Sequence, residues 1–338
     1  MLIDRHRLIV CVGTGGVGKT TVAASLAIAA AARGRRAVVL TIDPARALAR
    51  ALGLDGLAPE GQEIRTSRGA FTAAMLDTKR SWDAFVRRHA PSAAIARALD
   101  ANPFYQRLST SFAGATEYMA IEEVCRFAED GRHDLIVLDT PPAAHALDFV
   151  RAPEKIDRLL ASRLGGALAI PRFLARRLER ATGARTLHDI ATFFEAAGAL
   201  AEVALVRARR ARALLHQGGA AFVLIAAPRQ LVLDETLALA DRMRALDAPL
   251  AAVVVNRVHA APPDSAALDG EPDTPAVRWL RDALANARVD AAADADVIAR
   301  FRRALGPGTE LVTIAEAAHD LHAVRDLETL AETFAGHA

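Results

Sequence analysis

The sequence predicts an α/β fold, a doubly wound and mostly parallel sheet with helical insertions. Short apolar runs recur along the chain with helical segments between them: LIVCV (8–12), AVVLTI (37–42), FTAAML (71–76), DLIVLD (134–139), AFVLIA (221–226), AAVVV (251–255) and ELVTI (310–314). Runs this short and this apolar suit parallel strands covered on both faces. Strands alternating with helices imply a doubly wound sheet. The hydrophobic content of 52%, much of it alanine, supplies both a core and good helix formers.

Taken in order, LIVCV runs directly into the glycine-rich stretch GTGGVGKTT (13–21), and TVAASLAIAAAA (21–32) follows where a buried helix belongs. AVVLTI ends in Asp43, and Pro44 then breaks regular structure. Two long stretches, about 79–130 and 151–218, contain no convincing strand and read as helical additions to the sheet. Residues 258–276 form a Pro- and Asp-rich loop expected to be mobile. The C-terminal stretch carries Leu321, Val324, Leu327, Leu330 and Phe334 on one helix face, with Asp320, Asp326, Glu328 and Glu332 against Arg325 on the other. Such a face would avoid anionic lipid, so packing on the domain is expected. There is no internal repeat, so residues 1–338 read as one domain rather than a tandem duplication.

The formal net charge of +2 gives no global field for nucleic acid or an anionic membrane. Positive charge is nearly all arginine, since Lys19, Lys79 and Lys155 are the only lysines. Arginines cluster at Arg172, Arg176, Arg177 and Arg180, and again at Arg207, Arg209, Arg210 and Arg212. Each cluster reads as a surface for an acidic partner or, as is usual for charge runs, as a solvated helix face. Cys11 and Cys125 are the only cysteines, too few for a disulfide framework or a CxxC zinc site, and both fall at core positions. No leader segment and no run approaching the roughly 18 apolar residues of a spanning helix is visible, so a cytoplasmic protein with no direct membrane insertion is expected.

The chemistry is concentrated in a few motifs. Gly13, Thr14, Gly15, Gly16, Val17, Gly18, Lys19 and Thr20 fit G-x-x-x-x-G-K-[ST], with a strand before and an apolar helix after, the context that makes a phosphate-binding loop credible. Its glycines let backbone N–H groups converge on phosphate oxygens, and the helix N-terminus adds its dipole. Lys19 can reach the β- and γ-phosphates, and Thr20 can place its hydroxyl on Mg²⁺. A hydrolase also needs carboxylates near the metal and the attacking water. Asp139 and Asp43, each closing a strand, are the candidates. After Asp139, Pro141 and Pro142 stiffen a segment placed to meet the γ-phosphate, as in nucleotide-ordered switches. His145 reads equally as a phosphate sensor or as a cap on the turn.

Together these residues resemble the ArsA-type ATPase family, which includes the arsenite pump ATPase and the tail-anchored protein targeting ATPase, within the SIMIBI group that also holds MinD and ParA. GTGGVGKTT (13–21), TIDPARAL (41–48) and DTPPAAHALDF (139–149) carry the resemblance as phosphate loop, switch I and switch II. FAGATEYMAIEEV, AFVLIAAPRQLVLDET and AAVVVNRV follow in the family's order, so the likeness spans nearly the whole chain. It implies ATP and Mg²⁺ as cofactors, with Gly13 to Thr21 holding the nucleotide. It further implies Asp43 positioning or deprotonating the attacking water, Asp139 supporting Mg²⁺ with Thr20, Pro141 and His145 in switch II, and Asn256 pairing with the adenine edge. It also implies a nucleotide-clamped dimer whose helical regions handle a hydrophobic membrane-protein client or a membrane permease.

The departures are informative. Thr14 stands where the family usually has a lysine that reaches the partner's nucleotide. Slow hydrolysis, a substitute cation such as Arg46, a different closure, or a heterodimer with a paralogous ATPase would each accommodate it. Two cysteines cannot make a three-thiolate arsenite site, so arsenite activation is disfavoured. The zinc-binding CxxC of eukaryotic targeting ATPases is absent. The helical insert is poor in methionine, which adaptable client grooves often use. The alternatives are a MinD- or ParA-like positioning ATPase and, last, a metabolic ligase or kinase on the same fold. No specific nucleic acid is expected.

Overall fold

The computed structural model describes residues 2–43, 45–111, 114–142, 147–155, 184–216, 219–264, 268, 271–306 and 308–335. Pro44, His145 and the arginines at 172, 176, 177 and 180 lie outside them. The expected α/β architecture is present. An eight-stranded sheet runs β3-β4-β2-β5-β1-β6-β7-β8, with β1 (Leu8–Gly13), β2 (Ala37–Thr41), β3 (Gln62–Thr66), β4 (Gly69–Met75), β5 (Leu135–Asp139), β6 (Ala220–Ala226), β7 (Leu250–Val258) and β8 (Glu310–Ala315). Every pairing is parallel except β3 with β4.

The apolar runs of the central strands are covered on both faces, whereas edge strand β8 buries only Ile314. Along β1, Leu8, Val10 and Val12 enter one core while Ile9 and Cys11 enter the other. The first core gathers Phe127, Leu233, Met243 and Phe301 from the helices Ala115–Glu129, Gln230–Arg244 and Pro275–Ala304. The second is filled by the helix Lys19–Ala32, whose residues Val22, Leu26 and Ile28 are buried against the sheet. That helix is roofed in turn by the C-terminal helix Val324–Ala335, through buried Leu327, Ala331 and Phe334. The amphipathic terminus therefore packs on the domain, as its acidic polar face suggested. Both cysteines are buried, on opposite faces of the sheet.

The first expected helical stretch holds four helices, Thr78–His89, Ala93–Asp100, Pro103–Ser111 and Ala115–Glu129. The described part of the second is mainly the helix Ala184–His216. Two elements were not read from the sequence. β3 (QEIRT) is a polar edge strand in which Ile64 alone is buried. The helix Pro275–Ala304 starts at Thr274, whose hydroxyl accepts from the Val277 N–H, with Pro275 in its first turn.

Of the 207–212 arginines, Arg209, Arg210 and Arg212 are exposed, as a solvated face requires, whereas Arg207 turns inward. Its Nε donates to buried Glu122 at 2.5 Å and its Nη1 to Glu129 at 3.3 Å. Arg210 pairs with Glu129 and Arg212 with Glu154. Carboxylates of the helix Ala115–Glu129 draw Arg207 out of water, while the other three stay at the surface.

Candidate functional site

Parallel strands bring their carboxyl ends to one edge, and β1 lies there between β5 and β6 at the point where the strand order reverses. The glycine-rich loop begins at that edge. Gly13 has no room for a side chain, since a Cβ would sit 2.3 Å from the Ile225 carbonyl of neighbouring β6. Gly18 has φ +91°, a left-handed conformation that favours glycine, and it starts the helix Lys19–Ala32 without a side-chain cap. The helix's first N–H groups are thus left for an anion. Gly15 and Gly16, by contrast, have nothing near a would-be Cβ, so the loop's other side is open.

Lys19 is buried, and its ammonium folds back along the loop to donate to the Thr14 carbonyl at 2.9 Å. Burial lowers its pKa, with Asp139 and Asp43 pulling the other way. Next to it, Thr20 Oγ1 donates to Asp139 Oδ2 at 2.8 Å. Asp139 ends β5 in register with Cys11 of β1 and Thr41 of β2, which places it level with both neighbours. Thr41 Oγ1 donates to the same Oδ2 at 2.9 Å. Asp139 Oδ1 is buried and has no hydrogen-bond partner. Burial pushes this carboxyl up to about 6 despite the two hydroxyls and Lys19.

Thr41 links the Asp139 carboxylate to the backbone of Asp43. Its hydroxyl, while donating to Asp139, accepts from the Asp43 N–H at 3.3 Å. Asp43 Oδ1 accepts from the Ala45 N–H at 2.8 Å, an Asx turn that holds the start of the loop after β2. Arg46 follows at φ 56° and is exposed. On the other side, Thr140 Oγ1 donates to the Cys11 carbonyl at 2.7 Å, pinning the peptide after Asp139 to β1. Pro141 comes next, half-buried. Asn256, near the end of β7, is buried, and its Nδ2 donates to the Val17 carbonyl at 2.9 Å.

Gly13 to Thr21, Asp43 and Asp139 therefore meet at one edge, and Asn256 touches the loop from β7. Thr41 and Thr140 were missed as site residues. Thr41 was readable, since AVVLTI and DLIVLD place a threonine and an aspartate at matching strand ends. The fit to Mg²⁺ and a nucleotide is good on three counts: a buried carboxylate oxygen without a partner beside a threonine hydroxyl, a buried lysine, and uncapped helix N–H groups.

The anion-transporting ATPase family model matches residues 6–269, most of the chain and all of this site. The chain belongs to that family. It is accordingly an ATP hydrolase of ArsA type. A Streptomyces coelicolor protein of uncharacterized function is 30% identical over 331 residues, 96% of this chain and 75% of its own length. ATPase GET3 of Malassezia globosa is 29% identical over 47% of this chain and 46% of its own length. ATPase ARSA1 of Chlamydomonas reinhardtii is 27% identical over 75% of this chain and 35% of its own length. The chain thus spans less than half the length of these ATPase-named relatives.

Proposed function

We propose that the protein is a dimeric Mg²⁺-ATP switch that couples turnover to handling of a membrane-related client. The observation that carries the Mg²⁺-ATP part of this reading is the Asp139 oxygen left without a partner beside Thr20. In this reading Thr20 and Asp139 hold Mg²⁺ in place, with Asp43 as the nearby second carboxylate. The metal supplies charge neutralisation at the phosphates. Lys19 leaves the Thr14 carbonyl for the β- and γ-phosphates. Asp43 positions or deprotonates the attacking water. Thr41, bonded to the Asp139 carboxylate and to the Asp43 backbone N–H, ties the start of switch I to the magnesium-side carboxylate. Pro141 and His145 form the switch that follows Asp139, and Asn256 meets the adenine edge.

Thr14 carries no charge, so a cation for the shared nucleotide comes from elsewhere, either from Arg46 in a homodimer or from a paralogous ATPase in a heterodimer. The client is a hydrophobic membrane protein or a membrane permease, handled from the cytoplasm. The permease half of this reading is supported by the printed names of relatives, which include putative arsenical pump-driving ATPases. No described helix is long and apolar enough to cross a membrane. Arsenite itself is a poor ligand here, with Cys11 and Cys125 buried on opposite faces of the sheet. A MinD-like lipid-binding terminus is not favoured, because Leu327 and Phe334 are spent on the core. A ParA-like DNA surface is not favoured either, since Arg207, Arg210 and Arg212 each meet a carboxylate.

Asp43→Asn protein used as a trap tests the proposal. Copurification in ATP and in ADP is compared. Proteins with single hydrophobic segments or a permease, enriched with one nucleotide only, are expected. Identical sets in the two nucleotides would reject the coupling.

A further inference from the structure

Asn256 is placed to do more than meet a base. It lies near the carboxyl end of β7, two strands away from β1, yet its side chain reaches the turn of the phosphate loop. Nδ2 donates to the carbonyl of Val17, the residue between two glycines that both have positive φ. The residue is buried, so this bond is not competing freely with water. The amide also sets the shape of the turn from outside. A Cβ on Gly18 would fall 2.3 Å from the same Nδ2. Gly18 is the residue before Lys19, and its left-handed backbone aims the helix N-terminus and the lysine into the site. The Val17 side chain is buried in the core beneath the loop, and the Asn256 amide adds a polar hold on the same residue's carbonyl.

We infer that Asn256 is a positioning residue for the phosphate loop, acting through Val17 and Gly18 on the phosphate-binding groups. The inference rests on the reading of residues 13–21 as the nucleotide phosphate cradle. It goes beyond an adenine contact because it makes phosphate affinity itself depend on a residue of β7. It also ties the two ends of the nucleotide together. Whatever moves the end of β7, including a base drawn against Asn256, is felt at the Val17–Gly18 peptide.

The test uses a ligand with phosphates and no base. Wild type, Asn256→Leu, Asn256→Ala and Lys19→Ala are titrated calorimetrically with Mg²⁺-tripolyphosphate and with Mg²⁺-ATP. Leucine matches the shape of asparagine without the N–H, and alanine removes the bulk, so agreement between them separates the bond from packing. Thermal melts confirm that each variant is folded. Both Asn256 variants are expected to lose about tenfold in tripolyphosphate affinity, because binding must then order a turn that the bond to Val17 already holds in wild type. Variants that bind tripolyphosphate like wild type, whether or not they lose ATP, overturn the inference and leave Asn256 a base contact at most. Wild type that binds ATP but not tripolyphosphate overturns it too. Wild type that binds neither, or Lys19→Ala that binds both, overturns the underlying cradle reading instead.

Discussion

Asp139→Asn should make the nucleotide-free protein more stable at neutral pH while destroying its activity. Burial raises the Asp139 carboxyl from 3.8 to about 6, so the ionised group is unfavourable in the fold. A shift of two units corresponds to about 3 kcal/mol carried by the native state above pH 6. Asparagine keeps an oxygen for the Thr20 and Thr41 hydroxyls. Its NH₂ then occupies the position where Oδ1 has no partner, which costs about 1–2 kcal/mol. The net gain is about 1–2 kcal/mol at pH 8. The sign for the wild type follows from a raised carboxyl. The stability of the protonated form is fully present below the unfolded pKa and is lost as pH rises from about 4 through about 6. The stability cost of ionised Asp139 should therefore shrink by about half at pH 5. Urea denaturation of both proteins at pH 5 and pH 8 without nucleotide measures this. A variant less stable than wild type at pH 8 would refute the reasoning, because it would mean that Lys19 and the hydroxyls more than compensate the buried charge.

Two further perturbations address the framework. Arg207→Met leaves Glu122 buried without its partner and should cost about 3–5 kcal/mol, whereas Arg207→Met with Glu122→Leu should recover most of it. Burial already holds the Glu122 carboxyl above its ordinary range, only partly offset by Arg207. Additive losses in a double-mutant cycle by chemical denaturation would contradict a coupled pair. Leu327→Ala, at a fully buried position against the helix Lys19–Ala32, should cost about 2–5 kcal/mol in the same assay. A loss under about 1 kcal/mol would mean that the C-terminal helix is not part of the core.

The centre of the sheet was legible because strands buried on both faces, β1, β2, β5 and β6, read as unbroken apolar runs. β3 was not, since an edge strand with one buried residue, Ile64, has no such signature. The helix Pro275–Ala304 escaped for a related reason: its first half is largely exposed and its charges surround it. The phosphate loop and both aspartates were readable from local spacing and strand ends. The bonds that assemble them were not. Thr41 meets Asp139 only through the β2–β5 register, and Asn256 meets Val17 across the sheet. Arg207 shows the same limit, for its inward turn depends on Glu122, which lies in a different helix.

In the proposed site, Lys19, Thr20 and Asp139 hold Mg²⁺-ATP for hydrolysis at Asp43. The measurement that tests this most directly is single-turnover phosphate release from radiolabelled ATP, alongside equilibrium nucleotide binding, for wild type, Lys19→Ala and Asp43→Asn. Mg²⁺-dependent release by wild type, no binding by Lys19→Ala, and binding without release by Asp43→Asn are expected. Normal release by Asp43→Asn would contradict this assignment.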